Sequence, residues 1–141
     1  MYRVLLAKAG LDGHNRGVHV IVQSLVNAGF DVVYLGLRTT PEAIVRTALA
    51  EDVDCVGISI LSGAHKTVLP KVRALLDGQG AADVPLIAGG IIPAEDADWL
   101  RERGVRGVFG PGTSLAEVGA AVEGFCAARR TAARLDERGV T

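Results

Sequence analysis

At 141 residues the chain is long enough to bury the core of one domain. Its 15 Lys and Arg against 16 Asp and Glu leave a net charge of −1, which lacks the basic footprint that nucleic acid or an anionic membrane surface selects. No apolar run has the length of a transmembrane helix or the flanks of a signal peptide, so we expect a cytoplasmic protein.

Apolar strand patterns alternate with amphipathic helical patterns along the chain. The sequence predicts five pairs in order: strand 3–7 with helix 16–28, strand 31–36 with helix 41–51, strand 54–61 with helix 65–77, strand 84–88 with helix 94–103, and strand 106–109 with helix 114–128. This alternation is typical of an α/β fold with a parallel sheet covered on both faces. Five pairs indicate a flavodoxin-like (Rossmann-like), doubly wound sheet with strand order 2-1-3-4-5.

Four loops rich in glycine follow strands one, three, four and five, at residues 12–17, 59–65, 89–93 and 110–113. In the predicted strand order these loops lie at one sheet edge, beside the first strand, where ligands bind. The paired Gly89 and Gly90 would let a ligand lie flat against the backbone, and Thr113 or Ser114 would cap the last helix. Ordinary turn geometry explains each loop taken alone, so the prediction of a site depends on their convergence.

The turn at residues 8–17 combines a histidine, an acid and a lysine. Asp12 can hold one ring nitrogen of His14 and leave the other free to bind a metal, while Lys8 balances the charge. One histidine cannot complete a four-ligand zinc site, so a metal here must bring most of its own ligands, as in a tetrapyrrole-type cofactor. The glycines lack the G-x-G-x-x-G spacing of a dinucleotide site. A polar surface histidine is the alternative, and for His19 and His65 we expect structural or surface roles.

Three elements in order carry a resemblance to a known family. They are D-x-H-x-x-G at residues 12–17, S-x-L at residues 59–61, and the glycine pair at residues 89–90. With them, the chain from Arg3 to about Ala121 resembles the cobalamin-binding domain of the coenzyme-B12-dependent acyl-CoA mutases, the methylmalonyl-CoA mutase group. The resemblance implies a cobalamin-binding domain at residues 1–128. Residues 129–141 are charged and weakly apolar, so we expect a tail that is a frayed helix extension or a disordered end with no active role.

The resemblance also implies roles for individual residues. His14 would be the lower axial ligand of cobalt through Nε2, Asp12 would accept the Nδ1 proton, and Lys8 would pair with Asp12. Ser59 would hydrogen-bond the displaced benzimidazole of the cofactor, and Leu61 would form a wall of its slot. The full set of implied cofactor-binding residues is Asp12, Gly13, His14, Arg16, Gly17, Ser59, Leu61, Gly63, Gly89, Gly90, Gly110, Gly112 and Thr113.

The implied function is that of an adenosylcobalamin-binding isomerase subunit, which takes part in the radical 1,2-rearrangement of a short branched acyl-CoA. Methylmalonyl-, isobutyryl- and 2-hydroxyisobutyryl-CoA are the candidate substrates. Because 141 residues cannot also contain the barrel that binds the thioester, we expect a heteromer with a large barrel-type acyl-CoA mutase subunit and no turnover without it.

Two alternatives belong to other functional classes. The first is a non-catalytic corrinoid carrier or cobalamin-responsive module, although methyl carriers usually place a helical cap domain before the first strand, which begins here at about residue 3. The second is a plain signalling domain of the same fold, although a receiver would need an acceptor aspartate after the third strand and residues 58–61 offer no acid.

Overall fold

A computed structural model of the protein describes residues 1–9, 16–36, 39–60, 65–110 and 112–137. Within these ranges strands and helices alternate as β1 (Arg3–Ala9), α1 (Arg16–Asn27), β2 (Asp31–Leu35), α2 (Pro41–Ala50), β3 (Cys55–Ile60), α3 (His65–Gly78), β4 (Leu86–Gly90), α4 (Ala94–Glu102), β5 (Val105–Phe109) and α5 (Leu115–Glu137). The strands form one sheet in the order β2-β1-β3-β4-β5, and each described pair is parallel. The predicted flavodoxin-like α/β fold is confirmed.

Both faces of the sheet are buried, because helices cover each of them and successive side chains of a strand point to opposite faces. On one face, Leu5 and Val56 pack in a core with residues of α2, α3 and α4. On the other face, Leu6 and Cys55 pack in a second core with residues of α1 and α5. The chain therefore builds two apolar layers around a continuous parallel sheet.

Helix starts follow the capping rules where the sequence provides a hydroxyl. Thr40 Oγ1 accepts a hydrogen bond from the Ala43 N–H at 3.1 Å, and Pro41 occupies the first turn of α2. At α5 the capping residue is Ser114 rather than Thr113, since Ser114 Oγ accepts from the Glu117 N–H at 3.1 Å.

Two strands extend further toward the loops than the apolar patterns predict. Strand β1 continues to Ala9, so Lys8 lies on the strand and not in the turn that follows it. Strand β4 ends at Gly90 rather than at Ala88. Pairing in the sheet explains both extensions, because Ile60 at the end of β3 pairs with Ala9 of β1 on one side and with Gly90 of β4 on the other. Backbone ladders extend strands through residues that show no apolar pattern of their own.

Helix α5 continues well past its predicted end at residue 128, up to Glu137. Two arginines at the start of this extension, Arg129 and Arg130, form ion pairs with Asp54. Arg129 Nη1 lies 3.1 Å from Asp54 Oδ1, and Arg130 Nη2 lies 2.8 Å from Asp54 Oδ2. The Arg130 guanidinium also stacks on the ring of Tyr2, with 4.6 Å between Cζ and the ring centroid. These contacts anchor the helix to the amino-terminal edge of the sheet.

Candidate functional site

Three residues that the sequence places at the site form one row across the sheet. Lys8 on β1 is in register with Ser59 on β3, and Ser59 is in register with Gly89 on β4. The row lies near the carboxyl ends of the strands, and by alternation it faces α1 and α5, as Leu6 and Cys55 do. The fold therefore brings together residues that are far apart in the sequence, as the loop convergence predicts.

A cavity of about 450 Å³ lies on this face, between the sheet and helices α1 and α5. Its walls are mainly aliphatic or aromatic, with Leu6, Ile21 and Phe109 among them. The members of the predicted cofactor-binding set that line it are Ser59, Gly89, Gly90, Gly110 and Thr113. Such a volume is within the range of small-molecule sites, and the apolar walls favour a weakly polar group.

Glycines keep the sheet side of this cavity open. A Cβ atom added at Gly57 would lie 2.7 Å from Leu6 Cδ2, so a side chain there would displace the Leu6 side chain in the cavity wall. At Gly89 the nearest atom to an added Cβ would be the Phe109 carbonyl oxygen, 3.8 Å away. At Gly90, φ is +139° and an added Cβ would overlap the carbonyl oxygen of Ile60. Gly89 thus leaves space for a ligand, whereas Gly90 is required by the backbone itself.

Among the predicted site residues that the structure describes, Lys8 and Gly112 are not part of the cavity lining, and Arg16 and Gly17 belong to helix α1. Lys8 is 1% exposed, which is exceptional for a lysine and makes it a buried polar group at the site. Gly112 is exposed. Arg16 and Gly17 begin helix α1 at the predicted position.

Five members of the predicted set, Asp12, Gly13, His14, Leu61 and Gly63, lie outside the residues that the structure describes. Axial ligation by His14 and its pairing with Asp12 therefore stay predictions. The same holds for the pairing of Lys8 with Asp12.

A second polar cluster lies at the same sheet edge, on the side of α3 and α4. His65 Nε2 lies 2.8 Å from Asp96 Oδ2, and Lys66 Nζ lies 3.1 Å from Asp96 Oδ1. Hydrogen bonds from His65 and Lys66 hold the pKa of Asp96 below its ordinary value. The sequence analysis missed this cluster, because His65 and Asp96 belong to different helices and no local pattern joins them.

A pair of thiols lies in the apolar layer that includes the cavity walls. Cys55 and Cys126 are both free and buried, and a hydrogen bond between the two side chains, together with burial, raises the pKa of the Cys55 thiol well above its ordinary value.

Among the residues that the structure describes, no group of three or more His, Cys, Asp or Glu side chains is arranged to hold a metal ion. None of the described helices has the length and hydropathy needed to cross a bilayer.

Comparison with known proteins identifies the kind of domain to which this cavity belongs. Residues 2–118 match the family model described as the B12 binding domain. The chain belongs to this family. A similar protein is the 2-hydroxyisobutanoyl-CoA mutase small subunit of Aquincola tertiaricarbonis, 57% identical over 107 residues, which are 76% of this chain and 79% of that protein. Methylmalonyl-CoA mutase of Rhizobium meliloti is 42% identical over 120 residues, which are 85% of this chain and 17% of that enzyme.

The B12-binding domain also has solved structural relatives. A cobalamin-binding protein from Desulfitobacterium hafniense superposes with a TM-score of 0.75 at 20% identity, covering 88% of this chain and 58% of that chain. At this identity the likeness concerns the fold alone. The B12-binding domain thus spans most of the Aquincola small subunit and about a sixth of the full-length mutase.

Proposed function

We propose that this protein is the adenosylcobalamin-binding small subunit of a split acyl-CoA mutase and that it acts with a large acyl-CoA-binding subunit. The observation that carries the proposal is the glycine-lined apolar cavity at the carboxyl edge of the sheet, in a B12-binding domain that is 57% identical to a mutase small subunit. Adenosylcobalamin, when bound, would supply the radical chemistry of the rearrangement.

The residues around the cavity fit the nucleotide tail of cobalamin. A benzimidazole is flat and largely apolar, and the walls that would meet it are backbone at Gly89 and Gly90 and side chains such as Ile21 and Val122. Ser59 provides a hydroxyl at the same wall, which can hydrogen-bond a ring nitrogen that no longer binds cobalt. The cavity would therefore hold the tail away from the metal and leave the lower axial position to the protein.

We assign that position to His14, with Asp12 accepting the proton of the other ring nitrogen and Lys8 balancing the charge of Asp12. The burial of Lys8, in register with Ser59, supports a role inside the site, because an ammonium group is rarely taken out of water without a function or a partner. In this arrangement Asp12 and Lys8 orient the imidazole and set how strongly it donates to cobalt.

The proposal also covers the bounds of the cofactor domain, the location of the protein and the choice of substrate. Residues 1–128 would form the cofactor domain, and the end of α5 would fasten the domain through Asp54. We expect the protein to act in the cytoplasm and the partner to choose the acyl-CoA. The substrate to test first is 2-hydroxyisobutyryl-CoA, because of the Aquincola relative, followed by isobutyryl- and methylmalonyl-CoA.

Reconstitution tests the proposal. The purified chain, a large mutase subunit and adenosylcobalamin are mixed in all pairwise and triple combinations, and rearranged acyl-CoA is measured by chromatography. We expect product only in the triple mixture and none when the chain carries His14→Ala. Rearrangement by the isolated chain would refute the split-subunit assignment, and so would turnover by the large subunit and cofactor that this chain does not increase.

A further inference from the structure

His65 and Asp96 join the starts of two helices at the edge of the sheet where the cavity lies. His65 is the first residue of α3, soon after β3 ends at Ile60, and Asp96 is in the first turn of α4, soon after β4 ends at Gly90. The 2.8 Å contact between His65 Nε2 and Asp96 Oδ2 therefore joins the start of α3 to the first turn of α4. The side chain of His65 is 7% exposed, so the imidazole is largely shielded from water.

The protonation of the imidazole follows from its partners. An ionised carboxylate only accepts hydrogen bonds, so Nε2 of His65 carries the proton and donates it to Asp96 Oδ2. The second oxygen of Asp96 is 3.1 Å from Lys66 Nζ, and this ammonium balances the carboxylate charge without a second cation. In the neutral imidazole with its proton on Nε2, Nδ1 is a hydrogen-bond acceptor.

Nδ1 of His65 lacks a hydrogen-bond partner within the described part of the chain. The atom is buried. Buried polar atoms without a partner are uncommon in native proteins, and each one calls for an explanation. The Asp96 contact accounts for Nε2 of the same ring but not for Nδ1.

We propose that Nδ1 of His65 accepts a hydrogen bond from a carboxamide N–H on the rim of the corrin ring when the cofactor binds. This inference rests on the proposed function. With the tail in the cavity beside Ser59 and Gly89, the corrin ring would reach the carboxyl ends of the strands, where α3 begins. Corrin side chains end in primary amides, whose N–H groups are the donors that Nδ1 lacks. His65 is then a positioning residue, oriented by Asp96 and distinct from the proposed cobalt ligand.

Nitrogen NMR of the full chain, labelled with ¹⁵N-histidine, tests the inference directly. We expect His65 of the free protein at neutral pH to show a protonated Nε2 and a bare Nδ1, and the Nδ1 resonance to move toward lower frequency on addition of cobalt(III) cobinamide, which has the ring amides but lacks the nucleotide. His19, exposed on α1, serves as the internal control and should not move. A protonated Nδ1 in the free protein, or an Nδ1 shift with cobalamin but not with cobinamide, would overturn the assignment.

Two substitutions separate the nitrogens of the ring. His65→Gln keeps an amide donor near the position of Nε2 and removes Nδ1, so corrinoid binding should weaken about tenfold while the unfolding midpoint stays near that of the wild type. His65→Asn keeps a polar atom near Nδ1 and loses the reach to Asp96, so binding should change less and stability more. Wild-type affinity in His65→Gln would refute the role of Nδ1. If the wild-type chain binds no corrinoid in a visible-spectrum titration, the proposed function fails together with this inference, whereas binding with an unchanged Nδ1 resonance overturns this inference alone.

Discussion

Two neighbouring glycines in β4 should respond differently to the same added methyl group, one through stability and the other through ligand affinity. At Gly90, φ is +139° and an added Cβ would overlap the Ile60 carbonyl oxygen, which belongs to the ladder between β3 and β4. Backbone strain of this kind costs about 1–3 kcal/mol, and displacement of the ladder adds to it. We therefore expect Gly90→Ala to lower the free energy of unfolding by roughly 3 kcal/mol, which corresponds to a Tm lower by about 10 °C.

The matched control is Gly89→Ala, because its Cβ would meet its nearest neighbour at 3.8 Å and would project into the cavity. Its Tm should stay within about 2 °C of the wild type, because a strand alanine is neutral to mildly favourable relative to glycine. Its affinity for cobalamin should fall, since the methyl group occupies space needed by the tail. Urea unfolding and a visible-spectrum titration measure the two effects. Equal stability of the two variants, or a more stable Gly90→Ala, would refute the reasoning.

Two further predictions concern a ligand contact and the anchor of α5. Ser59→Ala should weaken cobalamin binding about threefold to tenfold through loss of one hydrogen bond, and should leave cobinamide binding unchanged because cobinamide lacks the benzimidazole; equal losses for both ligands would contradict the tail assignment. Asp54→Asn should lower the free energy of unfolding at pH 7 by about 2 kcal/mol, since Arg129 and Arg130 keep only a neutral partner. Burial raises the pKa of Asp54, but hydrogen bonds from Arg130 and the Arg3 N–H outweigh it and lower the pKa. This contribution is present above the unfolded pKa of about 3.9 and is lost as the pH falls below it, so urea midpoints of the two proteins should converge toward pH 3; a constant gap would contradict the linkage.

The sequence was sufficient for the order of the elements and of the strands, because burial on both sheet faces requires apolar runs and each helix carries its own apolar periodicity. It also predicted that Ser59 and Gly89 would meet at one edge, which follows from strand order without any knowledge of side-chain contacts. Such features depend on local patterns together with a general rule of topology.

Features that depend on pairing between distant segments could not be predicted in the same way. Lys8 lies on β1 because the ladder with β3 continues past the apolar run. Helix α5 extends to Glu137, and two of its arginines bind the carboxylate of Asp54, which directly precedes β3 and is far away in the sequence. His65 meets Asp96 across 31 positions, a distance at which side-chain periodicity carries no information. Register and side-chain reach, rather than propensity, decide all three.

Identification of the axial ligand of bound cobalamin tests the central claim most directly. The full chain, labelled with ¹⁵N-histidine, is loaded with cobalamin, reduced to cobalt(II) and studied by EPR, with His14→Ala as the matched variant. A ¹⁵N ligand splits each cobalt line into a doublet, whereas the ¹⁴N of the cofactor's own benzimidazole splits it into a triplet. We predict a doublet for the wild type and its loss in the variant; a triplet in the labelled wild-type protein would show that the benzimidazole stays on cobalt and would contradict the account.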